Sequence, residues 1–240
     1  MNWQNVATIA RKDLTIMMTR RGLRIGLAIF PLALGVGFSQ IIAFAHIPTS
    51  VLPHTLNAFL FFFMIYTGVL PASIASYSLV GEKVERSLEP LLATPATDGE
   101  ILLGKGIAAL APPLVAMWAG MCTLMVYCDV LTHAALGYLF FPNWMAALAV
   151  FGVAPLLAIM AVGFSVLCSA KVSDVRTAQQ LAALTAIPGV GLYIGLITGA
   201  FSLDVAALGV ICAILVAADA GLYLAARATF HREEILTRWT

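Results

Sequence analysis

Apolar residues run along this chain in long blocks separated by short charged clusters, and the blocks have the length of membrane-crossing helices. Between Arg24 and Glu82 lie 57 residues without Asp, Glu, Lys or Arg, enough for two crossings at about 20 residues each. Pro48 and Pro53 in HIPTSVLPHT mark the turn between them, which gives spans at 25–45 and 56–79. Two more follow at 106–128 and 143–168, joined through Asp129, His133 and Pro142, and a last pair at 179–201 and 205–226 is separated only by SLD. The pattern predicts an all-α integral membrane protein with six transmembrane helices, a single transmembrane domain over 1–240 with a polar tail at 227–240.

Outside the spans the period changes. At 100° per residue, Trp3, Val6, Ala7, Ala10, Leu14 and Met17 share one face of residues 1–24, with Gln4, Asn5, Thr8, Lys12, Thr15 and Thr19 opposite. This predicts an amphipathic entry helix lying in the membrane surface, Trp3 at headgroup depth and the basic side chains toward anionic lipid, as a coupling element or as a simple anchor. The loop between spans two and three, GEKVERSLEPLLATPATDGEILLGK, places Val84, Leu88, Leu91 and Leu92 at helical spacing among Glu82, Lys83, Glu85, Arg86 and Glu89, with a bend at Pro90. Thr97 followed by Glu100 forms a capping-box pattern that starts a new helix leading through Lys105 into span three.

Composition removes whole classes of function. With 61% hydrophobic and 10% charged residues, the chain lacks the polar surface of a soluble globule. A net charge of +1 offers no field for nucleic acid. All thirteen Lys and Arg fall in segments on the side of the N-terminus, which the positive-inside rule assigns to the cytoplasm, so both termini are expected there. The loop after span two departs from that basic face: five acids (Glu82, Glu85, Glu89, Asp98, Glu100) against three bases (Lys83, Arg86, Lys105) leave it at −2. Such a loop suits a basic protein groove, or serves only as a solvated connector.

Sites for chemistry are few. Cys122, Cys128, Cys168 and Cys212 form no CxxC pair, and no metal site is expected. The first span is too long, and its flanks too unlike a cleavage site, for a signal peptide. Gly99 to Lys105 spells GxxxxGK, but Gly106 stands where a phosphate loop needs Ser or Thr, and a membrane helix opens there without a strand. No histidine falls within a span, and Ser165 in GFSVL lacks the second Gly of a nucleophile elbow.

GEKVERSLEPLLATP followed by DGEILLGK resembles the signature of ABC type-2 transporter permeases, roughly E-K-E-R-G-T-L-E-x-L-L-x-T-P with a later G-K. Glu82, Lys83, Leu88, Glu89, Leu91, Leu92, Thr94, Pro95, Gly104 and Lys105 match, while Val84, Glu85, Arg86 and Ser87 depart from it. VRTAQQLAALTAIP and the tail ATFHREEILTRW are weaker echoes. The resemblance implies a permease that pairs with a second permease chain around a path across the bilayer. It also implies that each chain docks on a separate ATPase subunit, which carries the ATP and Mg while this chain binds no cofactor. Glu82, Lys83, Glu85, Arg86, Leu88, Glu89, Leu91 and Leu92 would then form the coupling helix, and export is the implied direction.

Three intramembrane features are candidates for the path or for helix packing. Span two carries a run of Phe residues including Phe62, then Tyr66 and Pro71, whose ring frees a backbone carbonyl. Its face either lines the path or packs. Gly191, Gly195 and Gly199 in span five make a smooth strip for a close helix approach, between two chains or within one. Asp219 is the acid inside a span, where an ionised carboxylate costs about 2.5 to 3.5 kcal/mol and needs a partner or water. A basic or hydroxyl group on a neighbouring span is the expected partner.

Overall fold

The computed structural model describes residues 2–45, 47–84, 96–172, 174–200 and 204–229. All secondary structure among them is helical. Six helices are long and apolar enough to cross a membrane, and they take up the six blocks read from the sequence. The entry helix α1 is Trp3–Thr19, capped by the Asn2 side chain, and a break at Arg20 turns it into α2, Arg21–Phe44. Helix α3 is Leu52–Val84 and α4 is Asp98–Leu136. Helix α5, Trp144–Leu148, passes through a π-helical turn, Ala149–Val153, into α6, Ala154–Lys171. Helix α7, Val175–Ala183, passes through a 3-10 turn, Leu184–Ala186, into α8, Ile187–Ile197, and α9 is Val205–Thr229.

The bundle is organised around α3, the most enclosed of the six spans. Phe59, Phe61 and Phe63 are buried in one core with Met117, Met121 and Leu124 of α4 and Val153, Ala154 and Leu157 of the fourth span. The Phe run thus packs against protein, because neighbours surround α3 on several sides. Helices α2 and α4 cross with backbones almost touching. A Cβ on Gly35 would stand 2.7 Å from the Gly120 carbonyl oxygen, and one on Gly120 would stand 2.7 Å from the Pro31 carbonyl oxygen. Where the π turn in the fourth span widens the helix, the Val150 carbonyl accepts the indole N–H of Trp118 at 3.0 Å.

Span ends differ from the sequence reading for local reasons. Helix α4 runs for 39 residues, about 58 Å, starting at the Thr97–Glu100 capping box and ending at Gly137 in the left-handed region. The expected span at 106–128 is its middle. Span five is broken: the 3-10 turn separates α7 from α8, and the helix ends at Ile197, before the expected boundary at 201. At the end of the bundle far from the basic residues, the buried Asp129 carboxylate accepts the backbone N–H groups of Phe140 and Phe141, both at 3.0 Å. This folds the α4–α5 connection back over the core. Asp129→Ala would leave a buried N–H without an acceptor, an expected loss of about 1–3 kcal/mol in thermal unfolding of the detergent-solubilised protein, whereas Asp129→Asn keeps an acceptor and most of the stability.

Candidate functional site

The basic end of the bundle carries the densest polar chemistry, and it begins with α1. Val6, Ile9, Ala10 and Asp13 of this helix are buried against the first two turns of α4, while Trp3 is 65% exposed. The buried face is therefore rotated from the one expected, toward Ile9 and Asp13. The cause is a set of specific contacts. Glu100 accepts the backbone N–H of Asn2 at 2.5 Å and the side-chain amide of Asn5 at 3.0 Å, while also capping α4 through the Thr97 N–H at 3.1 Å. Lys105 donates to Asp13 at 3.2 Å, with both side chains less than a tenth exposed. Gly104 makes this docking possible, because a Cβ there would lie 2.8 Å from Ile9 and 3.0 Å from the Val6 carbonyl oxygen. At the far end of α1, the Arg20 guanidinium sits 4.4 Å above the Tyr77 ring of α3. Helix α1 thus bridges the helices on either side of the acidic loop.

A second polar seam joins α3 to α6 and to the α7–α8 break. Ser165 donates to the Ala72 carbonyl at 2.8 Å and shares a hydrogen bond with Ser76 at 2.7 Å, and Thr185 donates to the Gly68 carbonyl at 2.7 Å. These hydroxyls surround Pro71, which sits inside a continuous α3. The N-terminus of α7 is capped by Asp174, whose carboxyl is held below its usual range by hydrogen bonds from the Thr177 backbone and hydroxyl.

The expected site residues fall in different places. Glu82 and Lys83 lie on the last turn of α3, so span two and the start of the acidic segment are one helix. Glu85, Arg86, Leu88, Glu89, Leu91 and Leu92 lie outside the described residues. Phe62 packs between Phe38 of α2 and Tyr193 of α8, with ring centroids at 4.4 and 5.4 Å. Tyr66 stacks on Phe30, and its buried hydroxyl has no hydrogen-bond partner among the described residues.

The three glycines of span five fall in different settings. Gly191 faces open space, Gly195 is buried, and Gly199 lies beyond the helix in a left-handed turn at φ 67°. The close approach is instead made by Gly189, where a Cβ would lie 2.8 Å from the Met64 backbone of α3. Neither carboxylate oxygen of Asp219 has a hydrogen-bond partner among the described residues. Its helix packs on the fourth span at glycines, with Leu222 against Gly163 of α6 and Cys212 against Gly152 of the π turn.

The family model described as "ABC-2 family transporter protein" matches residues 7–203. The chain belongs to that family. No curated protein matches it. The match begins within α1, takes in the acidic segment and α8, and ends before α9. In this ABC-2 permease the Asp13–Lys105 pair and the hydroxyl seam lie inside the matched region, whereas Asn2, Asn5 and Asp219 lie outside it. Gly104 is legible in the sequence only as a motif match, and nothing there singles out Thr185 or Gly68. For Asp13 a signal was present, since it falls on the same helical face as Val6, Ile9, Ala10 and Met17.

Proposed function

We propose that this chain is the membrane-spanning subunit of an ATP-driven exporter in a cell membrane, with both termini cytoplasmic. It pairs with a second permease chain and takes its driving force from a separate ATPase subunit, which holds ATP and Mg and docks on the Glu82–Leu92 segment. The observation that carries this reading is mechanical. Helix α3 runs without interruption from the aromatic core into Glu82 and Lys83, and α1 bridges α3 and α4 on either side of the acidic segment through Arg20–Tyr77, Glu100 and Asp13–Lys105. A push on that segment would reach two spans through a braced base, where an unbraced loop would absorb it.

The acidic residues supply the chemistry of docking, since a loop of net charge −2 complements a basic groove. Purification of the tagged chain from its native membrane is expected to bring down an ATPase subunit. Reversing the charge of Glu85 and Glu89 together is expected to lower the recovered ATPase at least about tenfold with membrane insertion unchanged. Transport by the purified chain in proteoliposomes without any ATPase would overturn the reading.

A further inference from the structure

A proline inside one helix and a break in another face each other inside the bundle. In α3, Pro71 has no N–H to give the Thr67 carbonyl, so the helix loses a rung at this level. In the fifth span the 3-10 turn Leu184–Ala186 breaks the run from α7 to α8. The two meet backbone to backbone. A Cβ on Gly68 would stand 2.7 Å from the Thr185 carbonyl oxygen and 3.2 Å from Ala186 Cα, and a Cβ on Gly189 would stand 2.8 Å from the Met64 carbonyl carbon and 2.9 Å from the Ile65 nitrogen. Irregular backbone at membrane depth persists only where protein or a wet cavity satisfies it. Around the two points buried hydroxyls add hydrogen bonds to the carbonyls that flank Pro71: Thr185 donates to Gly68 and Ser165 to Ala72, with Ser76 bonded to Ser165.

Two of these hydroxyls have a second acceptor within reach. Thr185 lies 2.7 Å from the Gly68 carbonyl and 2.6 Å from the Ala182 carbonyl. Ser76 lies 2.7 Å from Ser165 Oγ and 3.4 Å from the Ala178 carbonyl. A tilt of one element against the other would therefore move a hydrogen bond from one oxygen to the next without stranding a buried polar group.

We infer that Gly68–Pro71 of α3 and Leu184–Gly189 between α7 and α8 form one paired hinge, pinned by Thr185. About this hinge the part of α3 that leads to the acidic segment tilts together with α7, while α8 stays with the aromatic core. Ser76 of α3 ties the moving halves to each other through the Ala178 carbonyl of α7. The aromatic contact of Phe62 with Tyr193 holds α8 to the other half of α3. The inference rests on the docking reading only for what drives the motion. The hinge itself belongs to this chain.

Amide hydrogen exchange of the full chain in lipid nanodiscs, with and without the ATPase subunit that copurifies with it, tests the inference. In the chain alone, Thr185→Val is expected to speed exchange about tenfold at both Ala72–Ser76 and Leu184–Gly189, with the middle of α4 unchanged, and Thr185→Ser is expected to restore both. Should Thr185→Val fail to fold, Pro71→Ala is the second variant. It returns an N–H to the Thr67 carbonyl and is expected to slow exchange at both segments. A change in one segment without the other, or an equal change throughout α4, overturns the hinge. With the ATPase subunit bound, trapping with ADP and vanadate is expected to shift both segments together. No shift on trapping overturns the hinge as a moving part and leaves docking intact, whereas absence of any copurifying ATPase defeats the docking reading and leaves the Thr185 result to decide the hinge.

Discussion

Lys105→Ala is expected to destabilise the protein by about 3–5 kcal/mol, the cost of leaving the buried Asp13 carboxylate without its close cationic partner. The pair is 3.2 Å apart with side chains 2% and 7% exposed, and Lys12 approaches Asp13 to 3.9 Å. Thermal unfolding of the detergent-solubilised chain, read with the recovery of monodisperse protein, measures the effect. The double replacement Asp13→Leu with Lys105→Met should restore most of the stability, because removing both charges together also removes the burden of desolvating them. If the single and double variants prove equally unstable, the contribution of the pair is one of shape alone. In a complex reconstituted with the proposed ATPase, loss of α1 docking should also raise ATPase turnover that is not matched by transport, since α1 braces the bases of α3 and α4 beside their direct contact.

Gly120→Leu is expected to be the most damaging change within the spans. Its Cβ alone would stand 2.7 Å from the Pro31 carbonyl oxygen and 2.7 Å from Phe63 Cε1, and Gly35 meets the Gly120 carbonyl oxygen at the same separation. Backbone oxygens cannot step aside as a flexible side chain does, so α2 must move off α4. Overpacking ordinarily costs about 1–3 kcal/mol, and a rigid backbone wall places this case at or above the upper end. A graded series of Gly120→Ala, Val and Leu followed by thermal unfolding should show increasing loss. Gly37→Ala on α2, which meets nothing within 4 Å, should show none. A flat series at position 120 would mean that the two helices are not seated on each other in the folded protein.

Much of the architecture was legible because membrane spans announce themselves through length and charge. Each uncharged block became a helix, and the Thr97–Glu100 pattern became the observed capping box of α4. Packing was far less legible. The strip Gly191, Gly195 and Gly199 has the spacing of a helix contact, yet Gly189 is the residue that meets α3, because where a helix stops and which way it faces are decided by its neighbours. Asp13 illustrates the same limit from the polar side. Its place on the face of Val6, Ile9 and Ala10 marks it for burial, but the pattern does not mark the partner that makes burial tolerable, Lys105, 92 positions later in the chain. Pairings of this kind are three-dimensional coincidences that helical periodicity does not encode.

The clamp on α1 also sets an order of events during biosynthesis. Asn2 and the Glu100 that receives it are separated by 98 positions, so at about 5–20 residues per second the entry helix waits roughly 5 to 20 s for its seat to leave the ribosome. Throughout that interval Asp13 and the apolar residues beside it have no protein to cover them, and the membrane surface is the shelter at hand. The first helix made accordingly waits until the second and third have been made before it settles, and newly made chains halted before the third span should be the ones most readily cut by proteases near their start.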